Sequence, residues 1–420
     1  MDSILWRIRI FFWYLLIIFI FLRPFISEYA FFTLGFWYVF LFIIFSLIYL
    51  FIFRGVNPFF TPLNLAVSLF LLIILISLII RGFTIFSIYE FYLFCPNFLI
   101  FYIMSKTDSL KRKQVLEVVT ISAILVSIYT IYQYFIGLDN VLNYIVCKAI
   151  KFDSYTYIKE VLIGKRAFAT FVSPNLFASY LVMVFFLTLG SLFLNRKKII
   201  PLFGLILIFF SLLCTKSVGG ILTFMLVFIF WSYFYIHQTK VKKLFFQKVF
   251  MVTVFLLFSL ILVFLFINRQ KISNFFDLSY RHNSIVQRLY YWQTALRMIK
   301  DYPFLGIGWC KFGIFYYFYK PNSANISNYA HNVFLQIFAE LGIFGLLSFL
   351  IIISLFLKRA IKLIKDSCAP VFNFSCLCAG LAFLIHNLFD LSFYFGQIAF
   401  FWWLTLGMMN SSVRKEVGEK

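Results

Sequence analysis

YAHNVFLQIFAELGIFG, Tyr329 to Gly345, is the stretch on which the reading of this chain turns. His331 stands at the mouth of an apolar run that continues to about residue 357 and ends in a basic tract, Lys358–Lys365. A cationic polar segment comes directly before it. A run of that length and polarity matches a membrane-spanning helix, because about 20 apolar residues are needed to cross a hydrocarbon layer ~30 Å thick. His-Asn at its start reads first as a helix cap, since Asn can accept bonds from the orphan N–H groups of a first turn. A titratable imidazole at the water boundary beside concentrated positive charge also suits chemistry on an anionic, lipid-borne substrate.

Outward from this stretch the same pattern recurs along the whole chain. The 420 residues are 63% hydrophobic and only 12% charged, with a mean hydropathy of +0.97. Soluble domains carry about a quarter charged residues, so a soluble fold is excluded. Twelve spans are expected, at about 8–22, 31–53, 62–80, 83–104, 115–136, 173–194, 199–214, 220–236, 249–267, 333–357, 371–387 and 393–409. The first follows Arg7 and Arg9 and is followed by Arg23-Pro24-Phe25 with no small-residue cleavage site, so it reads as a retained span. The fold class is therefore an all-α integral membrane protein of about 12 transmembrane helices. It forms one polytopic domain, 1–420, with a long outer (periplasmic) helical loop before the tenth span.

Charge sets the expected orientation. Basic tracts at Lys106–Lys113, Arg196–Lys198, Lys240–Lys248 and Lys358–Lys365 contrast with short outer loops that carry almost none. With those tracts in the cytoplasm, the inner loops and tails hold 21 Lys and Arg, and the short outer loops hold 3: Arg23, Arg81 and Lys216. Both termini are then cytoplasmic, residues 410–420 form a cytoplasmic tail, and 137–172 and 268–330 are outer-face loops. The formal charge of +22 is spent largely on these tracts, which argues against a nucleic-acid partner. Between 268 and 330, however, eight Lys/Arg face only Asp277 and Asp301. An outward segment of that sign attracts phosphate-bearing ligands, although long translocated loops also escape the charge rule.

The seven Cys show no paired CxxC spacing, and Cys376 and Cys378 point to different faces of a helix, so no metal site is expected. Cys147 and Cys310 both fall on the outer side, which leaves a disulfide between them open. No Asp-x-Asp pair or carboxylate cluster lies outside, and nothing in the sequence calls for a cofactor or a divalent metal.

Three outer pieces can carry chemistry. RLYYWQTALRMI, Arg288–Ile299, reads as an amphipathic helix with Leu289, Trp292, Leu296 and Ile299 on one face. It could simply lie flat on the bilayer; alternatively Arg288 offers a phosphate the forked donors of a guanidinium. Asp301–Trp309, DYPFLGIGW, ends that helix in a glycine-rich turn. KRAFATFVSPNLFASYL, Lys165–Leu181, sets Lys165 and Arg166 before a helix start at Pro174-Asn175 with Ser173 as cap. In TKSVGG, Thr215–Gly220, Lys216 serves equally as a snorkelling anchor or a ligand contact.

In order and topology these pieces resemble the O-antigen ligase and O-antigen polymerase superfamily of polytopic glycosyltransferases. The matching residues are R-x-F-x-T-F-x-x-P-N at Arg166–Asn175, R-L-x-x-W at Arg288–Trp292, P-F-L-G-I-G at Pro303–Gly308, His331-Asn332 with Gly342-x-x-Gly345, and HNLFDLSFYFGQIAFFWWLTLG at His386–Gly407. Together they cover roughly residues 165–410.

The resemblance implies a metal-independent glycosyltransferase, a ligase or alternatively a polymerase, in the bacterial inner membrane. Its donor would be a glycan on undecaprenyl pyrophosphate. Its acceptor would be lipid A core, a growing glycan or another molecule at the outer face, with membrane lipids around it. By resemblance His331 is the base for the acceptor hydroxyl, a role an imidazole of ordinary pKa near ~6.5 can fill at neutral pH. Arg288 and Arg166 take the phosphates. Where the family has Ser-Arg-Gly-Gly, this chain has Ser217-Val218-Gly219-Gly220, so Lys216 is the candidate stand-in, without a two-pronged contact. His386 reads as polar packing near a helix end, and His237 falls on the cytoplasmic side. A transporter is the reading from another class; Glu90, Glu117, Glu340 and Asp390 are the ionisable residues near spans, and no internal repeat supports it.

Overall fold

The computed structural model describes residues 2–29, 32–52, 61–147, 156–194, 198–238, 283–367 and 369–411. Among them the regular elements are all helical. In chain order these are α1 (Asp2–Leu22), α2 (Phe32–Ile52), α3 (Pro62–Ile80), α4 (Ile85–Met104), α5 (Ser109–Tyr132), α6 (Leu138–Cys147), α7 (Thr156–Ile163) and α8 (Pro174–Leu194). There follow α9 (Ile199–Cys214), α10 (Val218–Gln238), α11 (Ser284–Asp301), α12 (Phe312–Tyr319), α13 (Val333–Asp366), α14 (Pro370–His386) and α15 (Gly396–Asn410). Eight described helices are long and apolar enough to cross a membrane. Three further expected spans form α9, α14 and α15, of 15 to 17 residues. The expected span 249–267, the Lys240–Lys248 tract, residues 268–282 and residues 412–420 lie outside the described residues.

Polar residues in the short loops start the helices. Thr61 accepts from the Asn64 N–H ahead of Pro62, and Thr84 and Ser87 form a reciprocal capping box on α4. Asp108 accepts from the Lys111 N–H at 2.8 Å, so the basic tract Lys106–Lys113 is also the start of α5. The expected cap Ser173 accepts from the Leu176 N–H at 3.2 Å.

Helix α8 runs through the middle, buried along most of its length against α14, α9 and α5. On the other side, α15 lies along α4, and α3 along α13. Where these layers meet, Phe94, Phe98, Phe349, Phe393, Trp402 and Trp403 interlock with ring centroids 5.1–6.4 Å apart. Inside a bilayer there is little water to expel, so such close packing carries much of the association.

The structure differs from the expected uninterrupted helix at 333–357. Helix α13 is broken at Gly342, whose φ of 68° and ψ of −165° are not helical. The turn Pro303–Gly308 presses into the break: a Cβ on Gly342 would stand 2.0 Å from the Phe304 carbonyl oxygen, and one on Gly306 2.3 Å from the Glu340 carbonyl. The backbone groups freed by the break are satisfied there. The Ile307 and Gly308 N–H groups donate to the Ala339 and Glu340 carbonyls at 2.9 Å each, and the Ile343 N–H donates to the Pro303 carbonyl at 2.8 Å. The two glycine motifs, nearly 40 residues apart in sequence, are thus one interlock. The half-helix Val333–Leu341 packs on α11 and α12 through Ala339, Leu335 and Phe338, while Ile343 onward forms the long apolar part.

Candidate functional site

His331 sits on the short loop that leads into the half-helix, in a left-handed conformation with φ of 50°. That conformation is held from both sides. The Ala330 N–H donates to Gln336 Oε1 at 2.6 Å, the Asn332 side chain accepts from the Phe334 and Leu335 N–H groups, and the Val333 N–H donates to the Asn387 carbonyl. The expected Asn332 cap is therefore present, and it frees its neighbour His331 from capping. Gln336 is fixed in turn by Glu340, a fully buried carboxylate. Glu340 also accepts from the Cys310 and Phe312 N–H groups and from the Tyr394 hydroxyl at 2.9–3.2 Å. Four donors satisfy carboxyl oxygens that would otherwise be costly to bury.

The imidazole is one-third exposed, and its Nδ1 lies 3.5 Å from Asp390 Oδ1, a long contact. Asp390, on the loop after α14, is buried and also accepts from its neighbour's N–H, Leu391, at 2.9 Å. Burial opposes its charge, yet His331, His386 and Arg288 around it hold the carboxyl well below the usual carboxylate range. Tyr291 stacks on the imidazole with centroids 5.5 Å apart. Arg288, one turn earlier on α11, acts electrostatically on Tyr291, His386 and Asp390. Its Nε is buried without a hydrogen-bond partner among the described residues. Helix α11 is the expected amphipathic helix, begun by Asn283, whose side chain accepts from the Ile285 and Val286 N–H groups.

Arg166 and Lys216 form a second cluster. Arg166 donates to the Thr215 carbonyl at 3.2 Å and to Asn175 Oδ1 at 2.8 Å, and Ser217 Oγ donates to the same oxygen at 2.9 Å. Lys216 donates to the Gly164 carbonyl at 2.9 Å and lies over the Tyr134 ring. Burial, and then the nearby charge of Lys165, lower its pKa from the ordinary lysine value. Lys165 itself pairs with Asp139 at 2.7 Å. Val218, at the position of the missing arginine, is the first residue of α10 and half-buried. The two clusters border the same helix end. Asn175 precedes Ser179 by one turn of α8, and Ser179 meets Ser392, two residues past Asp390, at 2.8 Å.

Residues 203–350 match the family model of the O-antigen ligases. The chain is similar to the O-antigen ligases through this segment. It runs from α9 to the long part of α13 and contains Lys216, Arg288 and His331, while Arg166 and Asp390 lie outside it. With several apolar helices long enough to span, this is a multi-pass membrane protein of polysaccharide biosynthesis. No curated protein matches the chain.

Within the O-antigen ligase segment the structure brings His331 and Arg288 together, and it adds Tyr291 to them. Asp390 was legible only as an ionisable residue near a span end. Its signal was the spacing His386-Asn-Leu-Phe-Asp390, which returns a carboxylate to the end of α14. His386, expected as polar packing, is indeed buried there, but beside Asp390. Cys147 is exposed and Cys310 buried, and both are free thiols. His282 lies outside the described residues.

Proposed function

We propose that this chain transfers a glycan from an undecaprenyl-pyrophosphate carrier to an acceptor hydroxyl at the outer face of the inner membrane, without a metal. The observation that carries this reading is the pairing of His331 with Asp390 beside Arg288. With Nδ1 turned to the carboxylate, Nε2 is the nitrogen left for the acceptor. The acceptor oxygen bonds to the anomeric carbon as its proton passes to His331, and the bond from that carbon to the pyrophosphate oxygen breaks. Asp390 stabilises the imidazolium formed, and Arg288 stabilises charge gathering on the leaving pyrophosphate. Arg166 and Lys216 belong to the same carrier site as a second cationic group.

The test is turnover of purified full-length protein with lipid-linked glycan. Transfer is expected to continue in EDTA. Arg288→Lys is expected to lose most of it although charge is kept, because a point charge does not replace a two-pronged contact. Undiminished Arg288→Lys activity, or loss in EDTA restored by Mg²⁺, would overturn the corresponding assignment. Products that lengthen on the carrier would instead make the chain a polymerase, the alternative in the same superfamily.

The reading also needs the site outside the cell. We propose that both termini and 410–420 are cytoplasmic and that 137–172 and 268–330 face outward, on the strength of the 21-to-3 charge asymmetry. With Cys147, the exposed outer thiol, replaced by Ser, an impermeant thiol reagent should label Asn322→Cys in intact cells and spare Ser109→Cys. The reverse pattern would remove both the orientation and the acceptor side of the mechanism.

A further inference from the structure

A groove with a volume of about 280 Å³ runs between α3 and the long part of α13. Leu69, Ile73 and Ile76 line it from α3, Phe344 and Leu347 from α13, and Leu305 from the interlocked turn. Leu69, Phe344 and Leu347 are each about half exposed, so the groove opens sideways toward the bilayer. From Leu69 to Ser77 it follows α3 for ~12 Å at 1.5 Å per residue. Ser77 ends it, its hydroxyl accepting from the Trp309 N–H at 3.2 Å.

One turn past Ser77, at the cap that ends α3, stands Arg81, and against it Lys311, which donates to the Arg81 carbonyl at 2.5 Å. Lys311 is only 8% exposed, and the Arg81 guanidinium lies 5.1 Å above the Tyr302 ring. Among the described residues Arg81 Nε is buried without a hydrogen-bond partner, and neither cation has a carboxylate in an ion pair. Gly308 makes the approach possible. At its φ of 111° a Cβ would stand 2.9 Å from Lys311 Cδ and 3.0 Å from Arg81 Cβ. Burial, and then Arg81, push the Lys311 pKa down, as expected of two like charges without a counter-ion. No described hydrogen bond or ion pair joins this pair to Arg288, His331 or Asp390.

We propose that the groove and these two cations form a seat for one anionic phospholipid, its acyl chain along α3 and its phosphate between Arg81 and Lys311. An apolar slot open to the bilayer, ending in uncompensated positive charge at the level where a helix leaves the membrane, has the two-part chemistry of such a lipid. The lipid would also fill the slot beside the Pro303–Gly308 turn and brace the interlock at Gly342. This seat does not depend on the transfer reaction.

The test is native mass spectrometry of the detergent-purified full chain with phosphatidylglycerol or phosphatidylcholine of identical chains. One phosphatidylglycerol is expected to be retained about tenfold more strongly. Arg81→Gln, with Lys311→Gln as a second variant, should erase that preference, and Leu347→Trp, which fills the slot, should weaken retention of both lipids. Equal retention of the two lipids by the wild-type chain would overturn the proposal, as would a preference that survives in whichever charge variant elutes as folded protein. A polyprenyl phosphate that displaces phosphatidylglycerol from the seat would equally overturn it and reassign the groove to the carrier.

Discussion

His331→Ala is expected to reach the membrane as folded protein while glycan transfer falls by about 10²-fold or more. The side chain is one-third exposed and makes one long polar contact, so its removal opens little of the core. The loop around it is held by groups that the substitution leaves alone: Gln336, the Asn332 cap and the Asn387 carbonyl. A structural histidine would give the opposite result, lower yield with the activity per folded molecule preserved. Asp390→Asn separates the roles further. It keeps the shape but removes the charge that steadies an imidazolium, so its activity should fall between wild type and His331→Ala. A folded His331→Ala protein with undiminished transfer would return this histidine to the loop and leave the reaction without its base.

That pair also marks how far the sequence could be read. His331 was visible because an imidazole at the mouth of a long apolar run is unusual, and Arg288 because it opens an amphipathic segment in a basic stretch. Both are statements about one local segment. Asp390 lies 59 positions from His331, and nothing local says that the loop after α14 folds back onto the loop before α13. The link is made by a long-range backbone bond, Val333 N–H to the Asn387 carbonyl, while Asn387 Oδ1 accepts from the Phe393 N–H within the loop after α14. Tyr291 lies within the expected amphipathic helix, where its sequence position carries no sign of a role, and only the packing of α11 on the half-helix turns its ring onto His331.

The membrane character and helix positions were legible because a span is written in one uninterrupted run. Packing order was not. Almost every face of these helices is apolar, so periodicity gives no sign that α8 lies at the centre or that α4 meets α15. The break in α13 was hidden for the same reason. Gly342 and Gly345 read as small residues within a helix, and Pro303–Gly308 read as a turn in a loop. That one accepts the other's backbone bonds is a property of the pair.

Gly342→Ala should therefore be the most damaging methyl addition among the described glycines, with little folded protein recovered. An Ala at φ of 68° is strained in itself, at about 1–3 kcal/mol. The added carbon would also stand 2.0 Å from the Phe304 carbonyl oxygen, and that backbone cannot swing aside as a side chain can. Relief requires Pro303–Gly308 to withdraw, which breaks the bonds to the Ala339 and Glu340 carbonyls and unseats Cys310 and Phe312 from the buried Glu340 carboxylate. Glu340 fixes Gln336, and Gln336 fixes Ala330, so the damage reaches the loop that carries His331. Gly219→Ala is the control, since its new methyl meets nothing within 4 Å and it lies in the first turn of α10. Size-exclusion chromatography and thermal unfolding of the detergent-extracted proteins should show Gly219→Ala close to wild type and Gly342→Ala aggregated or absent. If Gly342→Ala elutes as a single species with wild-type thermal stability, the helix does not need its break, and the positioning of His331 must come from Asn332 and Asn387 alone.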